Sequence, residues 1–364
     1  LIALWVFDEL SYDKYHEKSD QIYRVGRHIN WDGKIFDVPV TGAIYGETIK
    51  ERIPEIIDFS RVYPIELSLW NHLYSNQEER VMFCDKGFFN VFSYTFLRGD
   101  PATVLVEPFT VVLTKKAAQA YFGEEYPIDK TLEIEWNDEK KKFRVTGIIE
   151  EVPSQSHFHF DVVASFETLE ELMPERLDTW VSNYLYTYVL LHPDSKPGEL
   201  TPKLEAIVEE FIAPAYMAFL GGGENGIENI HDMFVITLRP IEDIHLTAKL
   251  MWDIEPQGNI TSVYIFSIVS VLILLMACFN FMNLSTALGS KRAREVGIRK
   301  TSGATRGELI AQFISESIII AIISLVVALF IIEIVLPGFN TFTGKALSLT
   351  SLLLPQHLIL LIII

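Results

Sequence analysis

Residues 263–284 read VYIFSIVSVLILLMACFNFMNL, twenty-two positions without a charged side chain. As a helix, at about 1.5 Å per residue, the run reaches roughly 33 Å, enough to cross the hydrocarbon core of a bilayer. A buried core helix is the competing reading, but core helices rarely lack a polar face over such a length. Residues 309–336 form a second apolar stretch, interrupted by Gln312, Glu316 and Glu333, and 352–364 begins a third, with Pro355 near its start. Residues 1–7 are apolar but too short to span, and read as the end of a further, truncated span.

Outward from these runs the polarity divides. Residues 1–260 carry 23 Lys and Arg against 44 Asp and Glu, a net of −21, while 261–364 carry 7 against 4, a net of +3; together they give the chain's −18. An acidic first part excludes nucleic acid as a partner, because phosphate recognition needs a basic face. Cys84 lies in the acidic part and Cys278 inside the first apolar run, so the two thiols cannot meet and no disulfide framework is expected. The chain begins at Leu1 rather than Met and stops within an apolar run. It therefore reads as a fragment, and the lack of a signal peptide says nothing of targeting.

Residues 285–308 hold Lys291, Arg292, Arg294, Arg299, Lys300 and Arg306, offset only by Glu295 and Glu308, whereas the 20 residues before the first run hold one basic residue, Lys249. The positive-inside rule places 285–308 in the cytoplasm and residues from about 8 to 259 outside. The outer region reads as α/β. Tyr23, Val25, Ile29 and Trp31 alternate before Asp32-Gly33, a hairpin signal, and a second hairpin joins 132–136 to 142–149 through Asn137-Asp138-Glu139. Thr114 can cap a helix over 115–122 that stops at Gly123. Residues 184–191 have strand composition. Residues 203–219 look helical, with a stripe of Leu204, Ile207, Val208 and Phe211 that Pro214 should kink or divide. Gly221–Gly226 reads as a flexible loop.

The basic segment is the most informative. Ala293, Val296 and Gly297 fall at i, i+3 and i+4, so a helix over 291–300 has one small apolar face and one basic face. Gly303 fits a helix stop, and Thr305-Arg306-Gly307-Glu308 matches a capping box opening the next helix. The expectation is a short helix lying along the inner membrane surface between two spans. A purely topogenic loop would account for the charge, yet it needs no Gly297, no Gly303-Ala304 and no capping box.

Residues 279–317, FNFMNLSTALGSKRAREVGIRKTSGATRGELIAQFISES, resemble the FtsX-type permease signature of the MacB/FtsX class of ABC transporter. DELSYDKYHEKSDQIYRV (8–25), LTKKAAQAYFGEEYPIDKTL (113–132) and FRVTGIIEEVPSQSHFHFD (143–161) resemble the MacB-like periplasmic core domain of permeases typical of Bacteroidetes. The resemblance implies an α/β core domain of two subdomains over 8–259 and an α-helical FtsX-like permease domain over 260–364, within a protein of four or eight spans in the bacterial inner membrane. It also implies a permease subunit that couples a cytoplasmic ABC ATPase subunit to work outside the membrane, exporting peptides, drugs or lipoproteins. Carried over residue by residue, the ATPase-coupling segment is Lys291, Arg292, Glu295, Gly297, Arg299, Lys300, Gly303 and Ala304. Further implied partners are membrane lipid, a second permease in a homo- or heterodimer, and a periplasmic adaptor.

No cofactor of the chain's own is expected. A Walker A loop needs a Lys-Ser/Thr pair after its last glycine, and Gly221–Gly226 runs into Ile227-Glu228, so ATP belongs to the partner. Glu316 would sit about two turns into the second span, where a carboxylate is costly. It either couples the spans or hydrogen-bonds a neighbouring helix such as that of Asn280 or Asn283. His157 and His159 alternate before Asp161 and would share a strand face; this could bind a metal, but a half-exposed polar face is commoner. Asp243 and His245 read as a structural turn. A membrane-anchored ligand sensor is the alternative function, disfavoured because the chain returns to the membrane after about 24 residues rather than entering a long cytoplasmic region.

Overall fold

Strand β3, Ile56–Trp70, organises the outer part of the chain. At about 3.3 Å per residue its fifteen residues extend for roughly 50 Å, long enough to pair with different neighbours at its two ends. In the computed structural model, which describes residues 1–31, 34–70, 75–219, 234–247, 250–303, 305–345 and 347–349, the chain divides into two compact units. One is Ser11–Asn259; the other is Leu1–Leu10 together with Ile260–Ile364.

The unit Ser11–Asn259 holds a mixed sheet of eleven strands among the described residues: β1 (Ile22–Trp31), β2 (Lys34–Val38), β3, β4 (Ser75–Cys84), β5 (Phe96–Arg98), β6 (Thr110–Thr114), β7 (Thr131–Trp136), β8 (Glu139–Ile149), β9 (Val162–Ser165), β10 (Tyr186–Leu191) and β11 (Phe234–Pro240). The spatial order is β11-β1-β10-β3-β4-β9-β6-β8-β5, with β2 on β1, and β7 on β3 and β8. Pairings β4–β9 and β6–β8 are parallel and the rest antiparallel. One end of β3 pairs with β10 and the other with β4 and β7. The unit is not divided into the two expected subdomains: three core clusters follow one another along the one sheet, around Val25, Ile49, Val189 and Leu204, around Val62, Met82, Phe88 and Phe158, and around Phe83, Val111, Tyr121 and Phe143.

Local signals act as their chemistry demands. Thr114 accepts from the Ala117 N–H, opening the helix Lys115–Phe122, which ends at Gly123 with φ +57°. The second hairpin turns on two residues rather than three. Asn137 and Asp138 both have positive φ, and Trp136 pairs with Glu139, the arrangement that matches the natural twist of adjoining strands. Strands β1 and β2 pair with Trp31 opposite Lys34, their Asp32-Gly33 turn lying outside the described residues, as do Gly221–Gly226 and 352–364. The expected helix over 203–219 begins at Thr201 and widens into a π-turn over Val208–Ile212 before resuming as Ala213–Phe219. Pro214 explains the widening: its ring has no N–H to give and would collide with the carbonyl four residues back in a regular helix.

The other unit is helical. Ile260–Thr301 and Arg306–Thr343 are long helices, and Ile2–Leu10 is a short one whose Trp5 packs edge-on against Phe266. Two segments, Ile260–Gly289 and Arg306–Thr343, are long and apolar enough to cross a membrane. Their apolar side chains point outward, with Val271, Leu272, Ile322 and Val326 all more than half exposed, which in water would be an untenable surface. Ser315, Ser317 and Thr286 donate to carbonyls three or four residues back, satisfying their hydroxyls within the helix. Past Thr343 the chain turns at Gly344, and the Lys345 ammonium lies 3.0 Å from Asp8 and 2.8 Å from Glu9, all three nearly buried.

Candidate functional site

The basic segment is not a separate surface helix. Ile260–Thr301 runs unbroken through residues 285–301, so the expected loop is helical over most of its length. The physical reason is that 285–300 contains no proline; Gly289 and Gly297 each cost only about 1 kcal/mol relative to alanine, too little to end a helix already propagating. Continuing the helix carries Lys291, Arg292, Glu295, Gly297, Arg299 and Lys300 up to about 16 Å beyond Gly289. The break comes at Gly303, whose φ of +95° suits glycine and whose N–H donates to the Lys300 carbonyl at 3.2 Å. Ala304 lies outside the described residues. The capping box follows: the Thr305 N–H donates to Glu308 Oε2 at 2.9 Å and the Glu308 N–H donates to Thr305 Oγ1 at 3.4 Å.

Across this turn the two helices share one polar ladder. Arg299 Nη2 donates to Glu295 Oε1 at 2.7 Å, one helical turn back on its own helix. Its Nη1 donates to Gln312 Oε1 on the second helix, and Gln312 Nε2 donates to Glu316 Oε1 at 3.3 Å. Glu316 is thus linked through Gln312 to the basic segment. Asn280 and Asn283, named as alternative partners, are exposed on the first helix, and neither hydrogen-bonds Glu316. An added Cβ at Gly297 would meet no atom within 4 Å, nor would one at Gly307. The helix tolerates a glycine here without any internal contact that requires one.

The histidines of 157–161 do not share a strand face, because the segment before β9 is irregular and each ring turns to its own partner. His157 Nδ1 is 2.8 Å from Asp13 Oδ1, and its Nε2 is 2.7 Å from the Tyr188 hydroxyl. With Nδ1 protonated toward the carboxylate, Nε2 accepts from Tyr188. His159 instead sits against Glu255 and the Pro153 carbonyl. No group of three metal-ligating side chains converges among the described residues. His245, in the turn following Asp243, stacks on Tyr12 with ring centroids 3.4 Å apart.

Beyond Tyr188 lies the buried Arg24, whose guanidinium makes a bidentate pair with Asp253 at 2.7 and 3.1 Å. Burial alone would raise the Asp253 carboxyl; Arg24 beside it more than offsets this and holds it below the usual carboxylate range. Asp13 is fully buried with φ +60°, a backbone state that stores strain. The five residues link the first residues of this unit to its last ones. Sequence reading missed Asp13, Arg24, Tyr188 and Asp253, although Arg24, set between Tyr23 and Val25 at the apolar start of strand β1, was a signal of a buried partner.

An outward-facing apolar helix pair joined to a mixed-sheet domain defines the class: a membrane protein with an extracytoplasmic domain. The family follows from comparison. The profile of the MacB-like periplasmic core domain matches residues 1–207 and that of the FtsX-like permease C-terminal region matches 267–364, and the chain belongs to this family of ABC transporter permeases. It is 37% identical over 68 residues to the uncharacterized ABC transporter permease YknZ of Bacillus subtilis, covering 18% of this chain and 17% of that one. It is 30% identical over 89 residues to the macrolide export ATP-binding/permease protein MacB of Hyphomonas neptunium, covering 24% of this chain and 14% of that one. The matched stretches thus span less than a fifth of either relative. A solved domain assigned to a permease protein of Porphyromonas gingivalis superposes with a TM-score of 0.50 at 16% identity, covering 62% of this chain and 91% of that one, a likeness of fold.

Proposed function

We propose that the chain is the transmembrane subunit of an ABC transporter, without ATPase activity or cofactor of its own, coupling hydrolysis by a separate cytoplasmic ATPase to movement of its extracytoplasmic domain. The observation that carries the reading is Gly297: a helix-weakening residue, with open space where a side chain would stand, flanked by the exposed Ile298 and the charges of Glu295, Arg299 and Lys300. A surface glycine between fixed charges suits close approach of another protein's backbone, with the charges setting register. Lys291, Arg292, Gly303 and Ala304 complete the docking segment, and the ladder from Arg299 through Gln312 to Glu316 would carry its displacement into the second helix. In this reading the basic turn faces the cytoplasm. The permease works in membrane lipid as a homo- or heterodimer, with an adaptor outside, on peptide, drug or lipoprotein cargo.

The test is co-purification. Gly297→Trp and Glu295→Lys should each cut recovery of the ATPase with the permease, and the ATP hydrolysis it supports, about tenfold, with membrane insertion unchanged. Variants that assemble and stimulate hydrolysis as the parent does would refute the coupling role.

A further inference from the structure

The buried arginines of the outer unit are not alike. Arg24 and Arg61 each grip a carboxylate, Asp253 and Asp85, at 2.7 Å. Arg27, only 3% exposed, has no carboxylate within ion-pair distance among the described residues. Its Nε donates to the Val40 carbonyl at 2.9 Å and its Nη1 to the Tyr216 hydroxyl oxygen at 3.0 Å, both neutral acceptors. A buried cation without a counter-charge is expensive, and the cost is relieved by any anion that reaches it.

The space beside Arg27 is shaped to admit one. A cavity of about 400 Å³ is lined by Arg27, Val38, Val40, Asn183, Tyr216 and Trp252 among others, a volume within the range of small-ligand sites. Asn183 Nδ2 donates to the Val181 carbonyl at 2.8 Å and to the Tyr216 hydroxyl oxygen at 2.7 Å, while its Oδ1 is buried and receives no hydrogen bond. Tyr216 accepts from both Arg27 and Asn183, leaving its own proton to give. Trp252 stands 66% exposed with φ +60°, a strained backbone state for a bulky residue, pinned by the Tyr186 hydroxyl donating to its carbonyl at 2.6 Å.

We infer that this cavity binds a compact carboxylate with an apolar body. Arg27 pairs with the carboxylate and the Tyr216 hydroxyl donates to it. The valines hold the ligand's carbons and the Trp252 indole covers them. Free energy comes from neutralising Arg27, a cation for which the described residues supply no counter-charge. This site does not depend on coupling to an ATPase, and its failure would leave the proposed function standing.

Calorimetric titration of the full chain in lipid nanodiscs tests it with two soluble probes. 3-Phenylpropionate should bind saturably and its neutral amide about tenfold more weakly. Arg27→Gln should abolish the preference for acid over amide. In case that variant fails to fold, Tyr216→Phe removes only the donating hydroxyl; it should fold and weaken acid binding about tenfold while leaving amide binding unchanged. The inference is overturned by absence of saturable acid binding below about 1 mM, by equal binding of acid and amide, or by a Tyr216→Phe protein that binds the acid as before.

Discussion

The two units treat polar groups in opposite ways. The sheet-containing unit buries charged groups and pairs Arg24 with Asp253, Arg61 with Asp85 and Asp13 with His157, while Arg27 rests on neutral acceptors. The helical unit turns its apolar side chains outward and ties its two long helices through a ladder of Arg299, Gln312 and Glu316. In one unit, water is excluded by a core and polarity is locked inside it. In the other, hydrocarbon replaces water as the surroundings, and polarity is gathered at the turn and in the Lys345–Asp8–Glu9 cluster. A domain built the first way moves as a body, whereas helices built the second way can slide against lipid with few bonds to break.

The largest effect should come from breaking a locked pair. Arg24→Met strands the Asp253 carboxylate in the interior and should destabilise the outer domain by about 3–5 kcal/mol in denaturant unfolding followed by near-UV circular dichroism. The double change Arg24→Met with Asp253→Leu should recover most of this; a single variant costing less than about 1 kcal/mol would erase the contrast between the units.

A smaller effect concerns pH. Burial drives the His16 imidazole down to about 4 from its ordinary 6.5, against the opposing pull of Asp13, and its Nδ1 accepts from the Ser93 N–H at 3.1 Å. Between those values the unfolded chain binds a proton that the folded chain refuses. Stability is therefore full above about pH 6.5 and falls as the solution is acidified toward pH 4, by at most roughly 3 kcal/mol. His16→Gln should flatten that slope in unfolding curves collected across the range, and an unchanged slope would show that another group governs it.

The smallest change sharpens the other side of the comparison. Gly297→Ala adds one methyl group in open space and should stabilise the helix by roughly 0.5–1 kcal/mol. Hydrolysis by the partner ATPase in reconstituted vesicles should nonetheless fall two- to threefold, because the methyl intrudes on close docking. Equal or higher hydrolysis would mean that the glycine serves no contact.

Local order was readable wherever one residue type forces one geometry. The Thr114 cap, the Gly123 and Gly303 stops, the Thr305–Glu308 box and the break before Pro214 each rest on a hydrogen bond or a clash within a few residues of chain. The apolar runs were legible because length alone distinguishes them. Less legible was the continuity of the first long helix past Gly289: small and basic residues read as a boundary, although none of them breaks a helix. Long-range chemistry was hidden altogether. Arg24 and Asp253 lie 229 positions apart, and only the placement of β1 beside β10 and of residues 250–257 near both reveals the pair. His157 read as part of a half-exposed polar strand face for the same reason, its partners Asp13 and Tyr188 being remote in sequence.

Asp13 and Asp253 stand near the beginning and the end of the outer unit, and His157, Tyr188 and Arg24 connect them through its middle. Most domains fray first at their termini, where few contacts hold the backbone. Here each terminal segment, largely accessible itself, is pegged into the interior by one carboxylate, Asp13 to His157 and Asp253 to Arg24, so neither margin opens without breaking a buried pair. A tug on either connecting segment meets the whole fold at once rather than a loose end.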